Sequence, residues 1–593
     1  MRKYIVRRTL PEQIEYSFSD AIPPLLQRIY AHRGVSCDAD MQRELSALLP
    51  ADTLKGLKPS LVLLQEALAN QQAILVVGDF DADGATSSAL AVLALQAMGA
   101  QRVDYLVPNR FEYGYGLTPE IVEVAKSKHP DLIITVDNGI SSVDGVLAAN
   151  AAGIKVLITD HHLPGQILPD AAAIVNPNQT GCDFPSKNLA GVGVIFYLMS
   201  ALRTALNDAG WFALQNLPVP NMADFLDLVA LGTVADVVPL DRNNRVLVHQ
   251  GLRRIRAGRC RPGISALIAV AGRNQQQLVA ADLGFTVGPR LNAAGRLDDM
   301  SHGIECLLTT DTALAAEMAQ ELDALNRDRR AIEGSMQQEA MASLNELQHS
   351  LATNELDAQT FGLCLFDKTW HQGVIGILAS RIKDKFHRPV IAFALADSGQ
   401  HGADMAEQEI KGSARSIPGF HIRDALDAIA TRHPGLVNKF GGHAMAAGLT
   451  IQLKHYQAFQ QAFDQEVRRQ LSLENLRGQV WSDGELEARD LTLAQAETLR
   501  EHGPWGQAFP EPVFDGEFKL VQQRIVGEKH LKMVLALPAS NTVIDAIAFN
   551  VDLNQWPTSS DKIKLAYRLD VNEFRGEKSV QFVAEYLESV KAS

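Results

Sequence analysis

The sequence predicts an α/β protein in four parts: a parallel, doubly wound sheet in the first half, a long helical connector, a second and smaller α/β domain, and a C-terminal β-barrel of OB-fold type. Three observations carry this. Between residues 73 and 240, short Val/Ile/Leu-rich runs at 74–77, 103–107, 132–136 and 156–159 are separated by segments of helical length. The runs are apolar throughout instead of alternating, as strands buried on both faces of a parallel sheet must be. Residues 311–351 are rich in Ala, Glu, Met, Leu and Gln, with no proline and one glycine, Gly334, as a long helix requires. The last part of the chain holds five strand-like segments, at 513–526, 530–537, 543–550, 562–571 and 580–587, enough for a small closed barrel.

Taken in order, residues 1 to about 70 read as a mostly helical lead-in. Residues 1–16 are polar and basic, without the apolar core of a signal peptide. After the connector, an apolar run at 361–366, a helix near 376–386 and a run at 390–395 open the second α/β domain. It closes near 465, after the glycine-rich stretch that begins Gly441-Gly442-His443. The expected boundaries are therefore 1–310, 311–355, 356–465 and 466–593.

A chain of 593 residues is too long for one core. With 46% hydrophobic and 21% charged residues it has the composition of a soluble globular protein. No apolar run reaches the roughly 18 residues of a membrane helix, so no membrane role is expected. Five cysteines (Cys37, Cys182, Cys260, Cys306 and Cys364) lie far apart, with no Cys-x-x-Cys pair. That pattern suits reduced thiols and a cytoplasmic protein. The net charge of −14 argues against a nucleic-acid coat protein. It does not exclude a nuclease whose carboxylates are neutralised by metal. Arg253, Arg254, Arg256, Arg259 and Arg261 form a local basic cluster that is either a solvated helix face or a wall tracking phosphates. No exposed heptad or interface stripe stands out, so a monomer is expected.

The chemistry lies where the apolar runs end. The first run leads into Asp79-Phe80-Asp81-Ala82-Asp83-Gly84, the third into Asp137, the fourth into Asp160-His161-His162, and a further apolar stretch at 225–235 into Asp236. Ligands of open parallel sheets bind beyond the carboxyl ends of the strands, so these side chains converge on one crevice. Asp-x-Asp-x-Asp-Gly also opens an EF-hand loop, but that loop needs a bidentate Glu at its twelfth position, which here is Leu90. A helix-capping role, with Asp83 as the cap, accounts for one aspartate but not for three. Carboxylates crowded together repel unless cations sit among them. Oxygen donors with imidazole suit manganese or magnesium better than zinc. Two such ions about 3.5–4 Å apart activate water and clamp a phosphoryl oxygen. Neighbouring side chains on extended backbone point oppositely, so His161 and His162 should differ in role; spacing leaves open which of them ligates.

Asp160-His161-His162 resembles the signature of the DHH phosphoesterase superfamily. The resemblance extends to the Asp79–Gly84 motif, Val136-Asp137-Asn138-Gly139, Gly232-Thr233-Val234-Ala235-Asp236, Gly288-Pro289-Arg290-Leu291-Asn292-Ala293-Ala294-Gly295-Arg296, Trp370-His371-Gln372-Gly373 and Gly441-Gly442-His443. The order of these motifs is closest to that of the superfamily's bacterial single-strand-specific exonucleases. The resemblance implies a 5′→3′ exonuclease of DNA repair and recombination that releases mononucleotides from single-stranded DNA. It implies two Mn2+ or Mg2+ ions on Asp81, Asp83, Asp137, His161 and Asp236, with Asp137 bridging. His162 would contact the scissile phosphate, and Asp79 and Asp160 would be ligand-adjacent. Arg110, Ser413 and Arg415 match a pocket for the 5′ end, and Arg290, Arg296, Gly441, Gly442 and His443 match further nucleic-acid contacts. A single-stranded-DNA-binding protein and a helicase that supplies substrate are the partners such an enzyme would meet. The alternatives are a phosphodiesterase of the same superfamily acting on oligoribonucleotides or cyclic dinucleotides, for which the terminal barrel has no evident use, and a binding protein with a dead site, against which the intact ligand set argues.

Overall fold

The architecture is taken from a computed structural model, which describes residues 3–11, 14–108, 116–351, 360–396, 408–537, 542–553 and 555–590. Contacts divide the chain into two compact units: residues 1–6 with 327–480, and residues 7–326 with 481–593.

The larger unit is built on a five-stranded parallel sheet. Its order is Val103–Leu106, Ile74–Val77, Leu132–Val136, Lys155–Thr159, Ala173–Val175. The first strand in sequence therefore lies between the second and the third, and the chain reverses its winding direction there. At such a switch point the connections leave on opposite faces and open a crevice at the strand ends. The Asp79 motif leaves one of the two strands flanking that point, and Asp137 leaves the other. Ile74–Val77 and Leu132–Val136 are buried at every position, as their unbroken apolar runs require.

Behind the sheet, the helix Ala82–Ala97 packs against the helices Gly191–Asp208 and Leu226–Ala235. The last of these corrects an expectation. Residues 225–235 read in sequence like one more strand end, but they form a helix buried nearly all round. A helix enclosed on every side is apolar at every position, so periodicity cannot separate it from a buried strand; ten residues favour the helix. The lead-in is also less helical than expected. Among its described residues the α-helices are Pro24–Ala31 and Leu57–Ala69, joined by short 3-10 turns, with a strand at Tyr4–Arg7.

Five strands, Phe514–Val526, His530–Ala536, Val543–Ala548, Lys562–Phe574 and Glu577–Ser589, close the C-terminal barrel; the third and fifth pair in parallel. Phe514, Phe518, Tyr567 and Phe582 fill its interior, with Tyr567 stacked on Phe582 at 3.7 Å between ring centres. Of the barrel's phenylalanines, Phe549 is exposed, 5.2 Å from the His530 ring. The barrel interior and the helices behind the parallel sheet belong to one apolar cluster.

In the smaller unit the sheet order is Lys439–Gly442, Ala446–Gln452, Glu409–Arg415, Val390–Leu395, Leu363–Phe366, antiparallel except for its last pair. The helices Ile422–Arg432 and Tyr456–Gln470 and the helix Ile375–Phe386 contribute to separate apolar clusters against it. One 40-residue helix spans Thr312–Leu351. No helix among the described residues is long and apolar enough to cross a membrane.

Candidate metal centre and nucleic-acid contacts

The acidic loop is shaped by its own backbone. Asp81 is the N-cap of the helix Ala82–Ala97, its Oδ1 accepting from the N–H groups of Asp83 (2.9 Å) and Gly84 (3.0 Å). Gly84 is obligatory, because a Cβ there would lie 2.4 Å from the Asp79 carbonyl oxygen. The cap is thus Asp81, not Asp83 as expected. Asp83 sits one position into the helix and faces a different partner. Its Oδ2 accepts from Gly191 N–H at 2.6 Å and its Oδ1 from Val192 N–H at 2.9 Å, at the start of the helix Gly191–Asp208. A Cβ on Gly191 would lie 2.6 Å from the Cβ of Asp137, so this glycine gives Asp137 its room. Asp137 itself takes a left-handed backbone, φ 61°. The buried Asn138 amide donates to the carbonyls of Val77 (3.1 Å) and Val136 (2.9 Å), tying together the two strands that flank the switch point.

His161 Nε2 lies 3.1 Å from Asp137 Oδ1 and 3.5 Å from Asp236 Oδ2. The two histidine rings do not point apart as extended backbone would have them; their centres are 4.5 Å from each other. They differ in what holds them. Asp160 Oδ1 is bonded to His162 Nδ1 at 2.8 Å and accepts the N–H groups of His161 and His162, while Oδ2 accepts Ile140 N–H. Oxygen and nitrogen donors lie within 4.8 Å of one another in three overlapping sets: Asp79, Asp81 and Asp137; Asp83, His161 and Asp236; and Asp137, His161 and His162. Asp137 and His161 are each shared by two sets, and Asp79 stands in the first set beside Asp81.

Electrostatics give the arrangement its meaning. Burial, then Asp83, Asp81, Asp236 and Asp79, push Asp137 well above the usual carboxylate range. Burial, then Asp83, Asp81 and Asp79, do the same to Asp236. Asp83 is pushed up to about 7 by burial and Asp81. Burial alone would raise Asp160 as well, but its hydrogen bonds and the His162 charge bring it below the ordinary value. Burial opposes protonation of His162, yet Asp160 and the acidic loop raise it. Carboxylates forced together at such cost, with imidazole and no thiolate among the donors, fit a pair of hard divalent cations.

The other expected contacts are placed unevenly. Arg110 lies outside the described residues. Arg415 Nη1 donates to Ser413 Oγ at 3.1 Å and to the Ala414 carbonyl at 2.8 Å. Burial holds the Arg415 guanidinium below its usual pKa. It borders a cavity of about 240 Å³ with Gly376, Ile377 and Ser380, at the N-terminus of the helix Ile375–Phe386. A Cβ on Gly376 would come within 2.9 Å of both Arg415 Nη2 and Ser413 Oγ. A guanidinium, a hydroxyl and a helix N-terminus together suit a phosphate. Gly441 lies opposite Gly448 in the sheet, and His443 N–H closes the hairpin on the Ala446 carbonyl at 2.8 Å.

Arg290 is 7% exposed, ion-paired with Asp323 at 2.8 Å and donating to the Thr286 carbonyl. Arg296 is half-buried in the last turn of the same helix, Gly288–Leu297. That helix contributes two contacts that were not anticipated. Asn292 Oδ1 accepts Ala82 N–H at 2.8 Å, and Gly295 lies so close that a Cβ would meet the Phe80 carbonyl oxygen at 1.8 Å. Both residues fall within the quoted Gly288–Arg296 motif, the one signal that could have found them. In the basic cluster, Arg254 pairs with Asp224, Arg261 with the buried Asp227, and Arg256 donates to the Leu278 carbonyl, while Arg253 and Arg259 are exposed.

Comparison with known proteins bears on this geometry. Residues 73–233 match the N-terminal domain of the DHH family, 358–469 the DHHA1 domain and 482–586 the RecJ OB domain. The single-stranded-DNA-specific exonuclease RecJ of Dickeya dadantii is 57% identical over 97% of this chain and 97% of its own. That of Escherichia coli K12 is 54% identical over 95% and 96%. Crystal structures of RecJ from Thermus thermophilus match with TM-scores of 0.75 in complex with Mn2+ (30% identity, 98% of this chain and 80% of that one) and 0.72 in complex with Mg2+ (28%, 98% and 79%).

Proposed function

The chain belongs to the RecJ family of single-stranded-DNA-specific exonucleases, and on that footing we propose that it degrades single-stranded DNA from the 5′ end, releasing mononucleotides in DNA repair and recombination. The observation that carries this is the interlocked set of Asp79, Asp81, Asp83, Asp137, His161 and Asp236 at the sheet's switch point.

Asp81, Asp83, Asp137, His161 and Asp236, with Asp79 beside Asp81, would hold two manganese or magnesium ions. The ions would supply the positive charge that activates water and offsets the phosphoryl oxygens of an in-line displacement. His162, held through Nδ1 by Asp160, would contact the scissile phosphate. Peptide N–H groups hold Asp81 and Asp83 before substrate arrives, so the donors need no rearrangement. Ser413, Arg415 and the N-terminus of the helix Ile375–Phe386 would seat the 5′ phosphate; Arg110 would also recognise the 5′ end, and Arg290, Arg296, Gly441, Gly442 and His443 would contact the strand. The same reading divides the chain at 310, 355 and 465. It makes the protein a monomeric cytoplasmic enzyme that meets single-stranded-DNA-binding protein and a helicase on its substrate.

The test is a manganese time course on single-stranded DNA labelled at either end, beside blunt duplex and an RNA copy, with Asp81→Ala as control. Immediate release of a labelled mononucleotide from the 5′ end, absent on duplex and in the variant, is the expected result. Hydrolysis of short RNA or cyclic dinucleotides without DNA cleavage would overturn it.

A further inference from the structure

We propose that Phe285, on a turn packed against the end of the helix that leads into Asp236, is a base-stacking residue, and that it contributes to the enzyme's preference for unpaired strands. This rests on the nuclease reading above and adds a substrate contact to it.

Phe285 is left largely uncovered by the fold. It sits in a π-helical turn, Leu283–Val287, with 79% of its surface exposed, while Leu283 and Val287 of the same turn are buried. Turns of this kind are rare and are frequently found at functional sites. The turn is pressed against the end of the helix that delivers Asp236. A Cβ on Gly284 would lie 3.1 Å from Val234, and one on Gly288 would lie 3.0 Å from the Ala235 Cβ. Just past Asp236, Val237 adopts φ 63°, a conformation that a β-branched side chain avoids, and is 62% exposed. Phe285 and Val237 line the same cavity of about 930 Å³, within the larger unit. Two exposed apolar side chains therefore border an open space starting one residue from a proposed metal ligand.

The π-turn runs directly into the helix Gly288–Leu297, whose Asn292 and Gly295 fix the acidic loop at Ala82 and Phe80. One continuous element thus carries an exposed ring at one end and braces the metal-binding loop at the other. With phosphates drawn to the centre, the bases of the strand need an apolar surface nearby. An aromatic face accepts any base and gives no sequence preference. Bases in a duplex are already stacked and paired, so reaching the ring would first require opening the helix.

The experiment compares wild type, Phe285→Ala, Phe285→Leu and Phe285→Trp on two single strands, one intact and one with abasic sites at its first positions. Phe285→Ala should raise KM on the intact strand about tenfold, with little change in kcat and an unaltered melting temperature. Tryptophan should restore KM and leucine should not. The abasic strand should slow wild type about as much as the alanine substitution does, and should slow Phe285→Ala no further. Without cleavage, in EDTA, a strand carrying 2-aminopurine should be quenched by wild type and by Phe285→Trp, but not by Phe285→Ala. An unchanged KM in Phe285→Ala, full rescue by leucine, or equal abasic slowing of wild type and Phe285→Ala would overturn the stacking role while wild-type cleavage of single-stranded DNA stood. Loss of that wild-type cleavage would instead remove the reading beneath it.

Discussion

Arg33 donates both arms of its guanidinium to Asp483, Nη1 to Oδ1 at 2.9 Å and Nη2 to Oδ2 at 3.0 Å. His32 Nδ1 adds a third contact at 3.0 Å, and the aspartate is 1% exposed. The end of the helix Pro24–Ala31 is thereby fastened to the chain entering the barrel, 450 residues later in sequence. Burial works against the Asp483 charge, but His32, Arg33 and Arg8 prevail and push it down to about 2. An unfolded aspartate titrates near 3.9. Stability from this group is complete above pH ~4 and is lost as the pH falls toward 2, amounting to about 2 kcal/mol. Asp483→Asn should remove that part of the acid sensitivity. It should also destabilise the protein at neutral pH by about 3–5 kcal/mol, because Arg33 is left buried without its counter-charge. Calorimetric melts from pH 2 to 7 decide it; an unchanged slope between pH 2 and 4 would refute the assignment.

Gly191→Ala places a methyl group where Asp137 now sits. Manganese affinity, read by titration calorimetry, should fall about 10- to 100-fold, as for other losses of ligand support, with kcat falling in parallel. Wild-type affinity in this variant would mean that Asp137 is not held by that contact.

Metal should act as a folding ligand. Mutual repulsion among Asp83, Asp137 and Asp236 is relieved when cations bind, so manganese at about 100 times Kd should stabilise the protein by about 2.7 kcal/mol. EDTA should abolish turnover and reverse the shift in melting temperature. Asp81→Ala and His161→Ala should lose turnover while keeping the wild-type circular dichroism spectrum. Near-normal activity in either would sink the ligand assignment.

Arg415→Ala should discriminate between substrate ends. The ratio of kcat/KM for 5′-phosphorylated over 5′-hydroxyl strands should drop about tenfold, the scale of one charge-assisted hydrogen bond. Arg110→Ala should behave alike. Equal losses on both substrates would remove these arginines from end recognition.

The parallel strands and the chemistry at their ends are legible in the sequence because each is a local signal: an apolar run, then an acidic residue. What stays hidden depends on partners distant in sequence. Nothing near Asp83 announces that Gly191 and Val192 will meet its carboxylate, so a capping role falls to the wrong aspartate. Residues 225–235 hide their helix because complete burial erases the polar face that marks one. Extended backbone would make His161 and His162 diverge, whereas Asp160 gathers both N–H groups and brings the rings side by side. The arginine cluster looks available because its acids, Asp224 and Asp227, precede it by some thirty residues. The ion pair of Arg290 with Asp323 is likewise invisible in the motif around it.

The carboxylates of Asp81 and Asp83 each accept two peptide N–H groups. Much of the conformational freedom that a flexible chelator gives up on capturing an ion has here been removed during folding. Such a centre behaves as a mould rather than a net: an ion that leaves can be replaced without rebuilding the loop. Exchange between manganese and magnesium should therefore be governed by how readily each ion sheds its water, and by how much of each surrounds the protein.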